Sequence, residues 1–261
     1  AKKHNCLIIT DIELLFLAHP EATYIGITGT NGKSTTTSLI HHICQAAGID
    51  CYVGGNIGTP VLDLEPPKHD KTVYIIEMSS YQLELLDQFV CNIAVFLNLT
   101  PDHLDRHHTM KAYHLAKERI FKGQQQGSDH AFIGYDDDYT RKSYEHISHA
   151  VAFSSQVIPA EGIAVIDGEI IDHRLGDQVR IPIGDIPHLK GAHNAQNIAA
   201  AYGVAKVLGI NNNVIIDALR SFRGLSHRMQ YIGKSGNVSY YNDSKATNAD
   251  ATAKALTISE H

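Results

Sequence analysis

The run Gly29-Thr30-Asn31-Gly32-Lys33-Ser34-Thr35 puts glycines, a lysine and two hydroxyls in the order a phosphate cradle needs. Glycines let backbone N–H groups close around phosphate oxygens, and a helix starting at Lys33 would add its N-terminal dipole. Lys33 would reach the β and γ phosphates, and the hydroxyl of Ser34 or Thr35 would ligate Mg²⁺. The spacing is tighter than the common G-x-x-x-x-G-K-[ST] pattern, whose first glycine would fall at Ile27. The bland reading is a glycine-rich turn capped by Ser or Thr. The β-rich YIGIT before it and the helical pattern after it favour the cradle.

Other groups could complete such a site. Glu77 ends the apolar run VYIIE. In open parallel sheets ligands gather at the carboxyl ends of strands, where a carboxylate can hold Mg²⁺. A structural hydrogen-bond acceptor is the competing role. A second apolar run ends at Asn98 and is followed by Asp102-His103 and Asp105-Arg106. His103 could bind a second metal ion or orient a substrate. Alternatively the segment is a helix start, with Thr100 or Asp102 as N-cap and Pro101 in the first turn. Lys117, between Ala116 and Glu118 on a helical stretch, reads locally as a solvated charge.

The elements that must position these groups alternate. YIGIT, CYV, VYIIEM, IAVFLNL and HAFIG are strand candidates, and helical patterns cover 33–47, 81–88, 109–122 and 137–146. Continuous apolar strands suit a parallel sheet covered on both faces. From about Val157 the pattern changes. Asp167-Gly168 between two β runs signals a hairpin, and an antiparallel addition should reach Pro187. Two further helices follow, one opening with GAHNAQN and one reading VIIDALRSF. The fold expected is α/β: a P-loop mononucleotide-binding domain, its mostly parallel sheet flanked by helices, plus a small antiparallel β addition. Residues 24–223 form this central unit, 1–23 are a remnant or linker, and 224–261 begin another domain.

The 22 Lys and Arg against 28 Asp and Glu give a net charge of −6, which argues against a general nucleic-acid binder. The four cysteines, Cys6, Cys44, Cys51 and Cys91, form no C-x-x-C pair and read as reduced thiols of a cytoplasmic protein. No apolar run is long enough for a membrane span, and Asp11 and Glu13 interrupt the one near the start.

Together GITGTNGKST, GGNIGTP, IEMSSYQLE, LTPDHLDRH, AKERIF, GAHNAQN, GLSHRM and NDSKATN resemble the Mur ligases, in that family's order and across nearly the whole chain. The tight P-loop is the family's form. The resemblance implies an ATP-dependent, amide-forming ligase of peptidoglycan synthesis. It is closest to the branch that adds D-glutamate to UDP-N-acetylmuramoyl-L-alanine through an acyl phosphate. It implies that Lys33 contacts the β and γ phosphates, that Ser34, Thr35 and Glu77 serve a first Mg²⁺, and that His103 serves a second metal. It further implies Asn56 facing the muramoyl substrate, Asn194 and Asn197 near adenine, Arg228, Asp243 and Lys245 closing over the nucleotide, and Thr247 holding D-glutamate. Lys117 becomes the lysine that reacts with CO₂ to form a metal-binding carbamate. The partners implied are those small molecules, without nucleic acid or membrane, acting on a monomer. Rival readings are a folylpolyglutamate synthetase-like enzyme, against which GGNIG and NDSKATN count, and a nucleotide-binding module without ligase activity. With a UDP-binding first domain absent from these 261 residues, the chain alone is not expected to complete ligation.

Overall fold

The computed structural model of the chain describes residues 8–174, 179–184, 186, 188–189, 191–247, 252–253 and 256. Its centre is a nine-stranded sheet in the order β2-β3-β1-β4-β5-β6-β7-β8-β9. The strands are β1 (Thr23–Thr28), β2 (Cys51–Gly55), β3 (Val73–Glu77), β4 (Ile93–Phe96), β5 (His130–Gly134), β6 (Ala150–Ser154), β7 (Gly162–Ile166), β8 (Glu169–Asp172) and β9 (Val179–Pro182). The first seven run parallel, and β8 and β9 add antiparallel pairs. Asp167 and Gly168 both take positive φ, 50° and 74°, as a tight two-residue hairpin turn requires.

Side chains alternate across a strand, so a sheet covered on both faces needs apolar residues at every position. Ile25, Ile27, Val73, Ile75, Ile93 and Val95 face one core. That core is closed by α2 (Lys33–Ala46), α7 (Ala192–Val207) and α8 (Asn212–Ser221). Tyr24, Tyr74, Ile76, Ala94 and Phe96 face the other, closed by α1 (Asp11–Ala18), α3 (Ser80–Leu83) and α5 (Met110–Glu118). Tyr139 and Tyr144 of α6 (Asp138–His146) also pack on this second core, and α4 (Leu104–His107) lies against α5. A separate hairpin, β10 (Gln230–Ser235) with β11 (Val238–Asn242), follows the sheet domain.

Several expectations change. The helix expected over 81–88 stops at Leu83. Its start is secured by a capping box between Ser79 and Gln82, but the N–H groups of Asp87 and Gln88 turn away to the buried Glu13 carboxylate, at 2.9 and 2.6 Å. Glu13 lies on α1, which forms within the stretch expected to be a remnant and is capped by Thr10. Strand β6 was not expected. Neither Thr100 nor Asp102 caps a helix: α4 begins at Leu104, with His103 at φ 53° as its N-cap. Cys44, Cys51 and Cys91 are free thiols, and Cys6 lies outside the described residues. Among the described residues no helix is long and apolar enough to cross a membrane.

Candidate nucleotide-binding and catalytic site

The adjacent strands β3, β1 and β4 end together, with Glu77 beside Ile27 and Phe96 beside Thr28. The P-loop leaves β1 at this point. Gly32 adopts φ 84°, and a Cβ there would fall on Asn197 Oδ1, so both backbone and space exclude a side chain. Lys33 Nζ donates to the loop's own carbonyls, Gly29 O at 2.9 Å and Thr30 O at 2.8 Å. Ser34 Oγ accepts from Arg228 at 3.0 Å, which ties the segment before β10 to the P-loop.

Glu77 is buried. Its Oε1 accepts from Asn56 Nδ2 at 3.0 Å, and its Oε2 has no hydrogen-bond partner. A buried, unpartnered carboxylate oxygen is costly unless a cation or donor meets it. It fits an incoming Mg²⁺. Among the described residues no group of three or more His, Cys, Asp or Glu could hold a metal ion. The remaining ligands would therefore be hydroxyls, phosphate oxygens or water, as suits Mg²⁺.

Lys117 overturns its local reading. It is only 2% exposed. Its ammonium donates to Gly29 O at 2.8 Å and Thr28 Oγ1 at 3.3 Å, and lies 4.9 Å from the Tyr113 ring centroid. Burial first, and the Lys33 charge second, push its pKa well below the ordinary lysine value; Asp102 and Glu77 oppose the shift. Burial also lowers Lys33. No local signal marks Lys117, because α5 packs it against a loop far away in sequence. His103 stands at the rim, its side chain 45% exposed and Nδ1 3.7 Å from Asp102 Oδ1.

Beyond the P-loop an open cleft is lined by Asn31, Gly32, Thr35, Asn194, Asn197 and Arg228, among others. Asn197 Nδ2 donates to Asn194 Oδ1 at 3.1 Å, and Asn197 Oδ1 accepts from Thr36 at 3.1 Å. The expected carboxamide pair is thus brought to the phosphate loop. Asp243 also lines the cleft, its Oδ1 accepting from Met229 N at 3.0 Å. Lys245 and Thr247 stand exposed and are not brought to it. Asn56 lies on Glu77 rather than apart from it. Sequence reasoning missed Asn98 and Gln196. A single polar residue ending an apolar strand, and one glutamine inside a helix, give no pattern to read.

This is the site of a P-loop α/β protein, with its phosphate cradle, carboxylate and buried lysine at the strand ends. The profile of the Mur ligase middle domain matches residues 27–205, and the chain belongs to the Mur ligase family. Over 98% of its length it is 44% identical to a UDP-N-acetylmuramoylalanine–D-glutamate ligase from Rickettsia felis and 44% identical to one from Bradyrhizobium diazoefficiens. The chain spans about half the length of these curated relatives, 56% of each. Among solved structures, a MurF ligase from Thermotoga maritima in complex with ADP shares the fold. Its TM-score is 0.72 at 21% identity, covering 97% of this chain and 61% of that one. A UDP-N-acetylmuramoyl-L-alanyl-D-glutamate–2,6-diaminopimelate ligase gives 0.66 at 27%, covering 86% and 51%.

Proposed function

We propose that this chain carries the ATP-binding and phosphoryl-transfer centre of a ligase that adds D-glutamate to UDP-N-acetylmuramoyl-L-alanine in peptidoglycan synthesis. The observation that carries the chemistry is the cluster of half-buried Lys33, buried Lys117 and the buried, unpartnered Glu77 Oε2 at the ends of β1 and β3. The substrate assignment is supported by the relatives at 44% identity. A carboxylate is a poor electrophile. Transfer of the γ-phosphoryl group from ATP gives it a leaving group, the amine of D-glutamate attacks, and phosphate departs.

In this reading Lys33 leaves the carbonyls of Gly29 and Thr30 for the β and γ phosphates. The P-loop N–H groups and the start of α2 fix the phosphate chain. Glu77 and the hydroxyls of Ser34 and Thr35 would hold Mg²⁺, which when bound would supply positive charge against the phosphoryl oxygens. His103 serves a second metal position at the rim, and Asn56 orients Glu77 while bordering the muramoyl side. Asn194 and Asn197 receive adenine, and Arg228 and Asp243 close over the nucleotide; Lys245 joins that closure and Thr247 helps hold D-glutamate once the segment that carries them moves in from its exposed position. Lys117, carboxylated by CO₂, offers oxygens where its ammonium would repel a metal. Residues 24–223 form the central domain and 224–261 open the next. The reading also places the enzyme in the cytoplasm as a monomer, with no nucleic-acid or membrane partner.

Calorimetry of Mg·ATP binding tests the nucleotide part. The chain should bind, and Lys33→Ala should lose most of the affinity. A folded chain that releases no heat with Mg·ATP overturns it. The substrate part is tested on the chain extended to its relatives' length. Phosphate release from ATP should require both UDP-N-acetylmuramoyl-L-alanine and D-glutamate, and release driven instead by a folate would refute the assignment.

A further inference from the structure

We infer that Gln196 is a positioning residue for the phosphate loop, acting through Asn98, and that Asp136 sets the direction of this relay. The inference rests on the nucleotide-site reading above. The Asn98 carboxamide holds one residue of the P-loop, Asn31, through both of its backbone polar groups. Its Oδ1 accepts from Asn31 N at 2.9 Å, and its Nδ2 donates to Asn31 O at 3.1 Å. The second Nδ2 hydrogen goes to Gln196 Oε1 at 2.9 Å. Gln196 Nε2 in turn donates to Asp136 Oδ2 at 3.0 Å. Asp136 Oδ2 also accepts from Ser155 N and Oγ, each at 3.0 Å, and its Oδ1 accepts from Ser154 Oγ. Asn98 and Gln196 are 9% and 6% exposed, so water offers them little substitute.

A primary amide is nearly symmetric in shape, and its two ends differ only in hydrogen-bonding sense. Something must break the symmetry. An ionised carboxylate does so, because it only accepts. Asp136 draws the nitrogen of Gln196, the oxygen of Gln196 then faces Asn98, and that draws the nitrogen of Asn98. The oxygen of Asn98 is left facing the N–H of Asn31, the sense the loop peptide requires. Reversed at any link, two N–H groups would meet in a buried place. Gln196 follows Asn194 and precedes Asn197 on the first turns of α7, so one helix end both borders the cleft and, through Asn98, holds the loop that would cradle phosphate.

The test separates phosphate recognition from general stability. Competition titrations measure how much more tightly ADP binds than adenosine, for the unchanged chain and for Gln196→Ala and Gln196→Glu. In Gln196→Ala the ADP advantage should fall about tenfold, as expected for buried hydrogen-bonding groups left unpaired, while adenosine affinity holds. Gln196→Glu places two carboxylates together. A proton taken up by Glu would let its O–H donate to Asp136 and its C=O accept from Asn98, restoring the relay. Its ADP advantage should therefore recover as pH is lowered from about 8 to about 6, beyond any change in the unchanged chain. A destabilised helix alone would lower both affinities and give no such recovery. An undiminished ADP advantage in Gln196→Ala, or a Gln196→Glu profile parallel to the unchanged chain, overturns the relay alone. Failure of the unchanged chain to bind ADP overturns the nucleotide reading and the relay with it.

Discussion

Lys117→Met asks whether the buried amine is held neutral. Methionine keeps much of the length of lysine and removes the charge. The unfolded chain keeps this lysine near pKa ~10.4, whereas burial and Lys33 hold the folded value well below it. Between those two values the unfolded state binds the extra proton, so the stability of the unchanged chain rises with pH through that window. Below the folded value both states are protonated and the penalty is constant. The variant carries no such proton. Its stability relative to the unchanged chain should therefore fall as pH rises, by up to about 1.4 kcal/mol per unit. Loss of the bonds to Gly29 O and Thr28 Oγ1 lowers the variant by about 1 kcal/mol each at every pH. For a chain of this size 1 kcal/mol moves Tm by about 2 °C. Scanning calorimetry without nucleotide or CO₂, at about pH 7 and about pH 9.5, should show the Tm difference shifting by several degrees toward the unchanged chain. A difference independent of pH would mean that Lys117 titrates like an exposed lysine, and the argument for a reactive amine would fail.

Glu77→Gln keeps an oxygen for Asn56 but removes the charge of the unpartnered oxygen; Mg²⁺ should then strengthen ATP binding about tenfold less than in the unchanged chain, measured as Kd with and without the metal. Gly32→Ala should abolish nucleotide binding and destabilise the chain by more than about 1 kcal/mol in denaturant titration, since φ 84° and Asn197 both oppose a Cβ. Protein equilibrated with ¹³C-bicarbonate and Mg·ATP should give a carbamate carbon resonance that Lys117→Met lacks; identical spectra would remove the modification from the mechanism.

The P-loop and Glu77 are legible in sequence because their chemistry is contiguous. A strand, a glycine turn and a helix start lie side by side, and a carboxylate ends an unbroken apolar run. The parallel sheet is legible for the same reason, in VYIIE and IAVFL. What is not legible depends on partners distant in the chain. Lys117 becomes buried only because α5 lays it under Gly29 and Thr28. The helix over 81–88 breaks because Glu13 captures two of its N–H groups. Thr100 has good capping chemistry, but its Oγ1 accepts from Asn31 Nδ2 of the P-loop at 3.4 Å instead of from a helix N–H, and the helix starts later. The family resemblance supplied the position of Lys117 that the local pattern hid.

The electrostatics of the cluster explain why these residues belong to one mechanism. Lys33 and Lys117 both donate to the single carbonyl of Gly29, at 2.9 and 2.8 Å. The two nitrogens therefore lie no further apart than those two bonds laid end to end. Two ammonium ions at such a distance repel by about 3 kcal/mol at an effective dielectric of about 20. Nearby, Glu77 Oε2 is buried with nothing to meet it. In the proposed mechanism phosphate oxygens would draw Lys33 off Gly29, and Glu77 would be a ligand to a metal. Burial and the Lys33 charge both push the Lys117 pKa down, which favours the neutral, nucleophilic amine that the proposed reaction with CO₂ requires. Carboxylated as proposed, Lys117 would change sign and attract Lys33 and the metal that its ammonium would repel. The same burial that penalises the charge of the lysine is thus what would prepare it for that reaction.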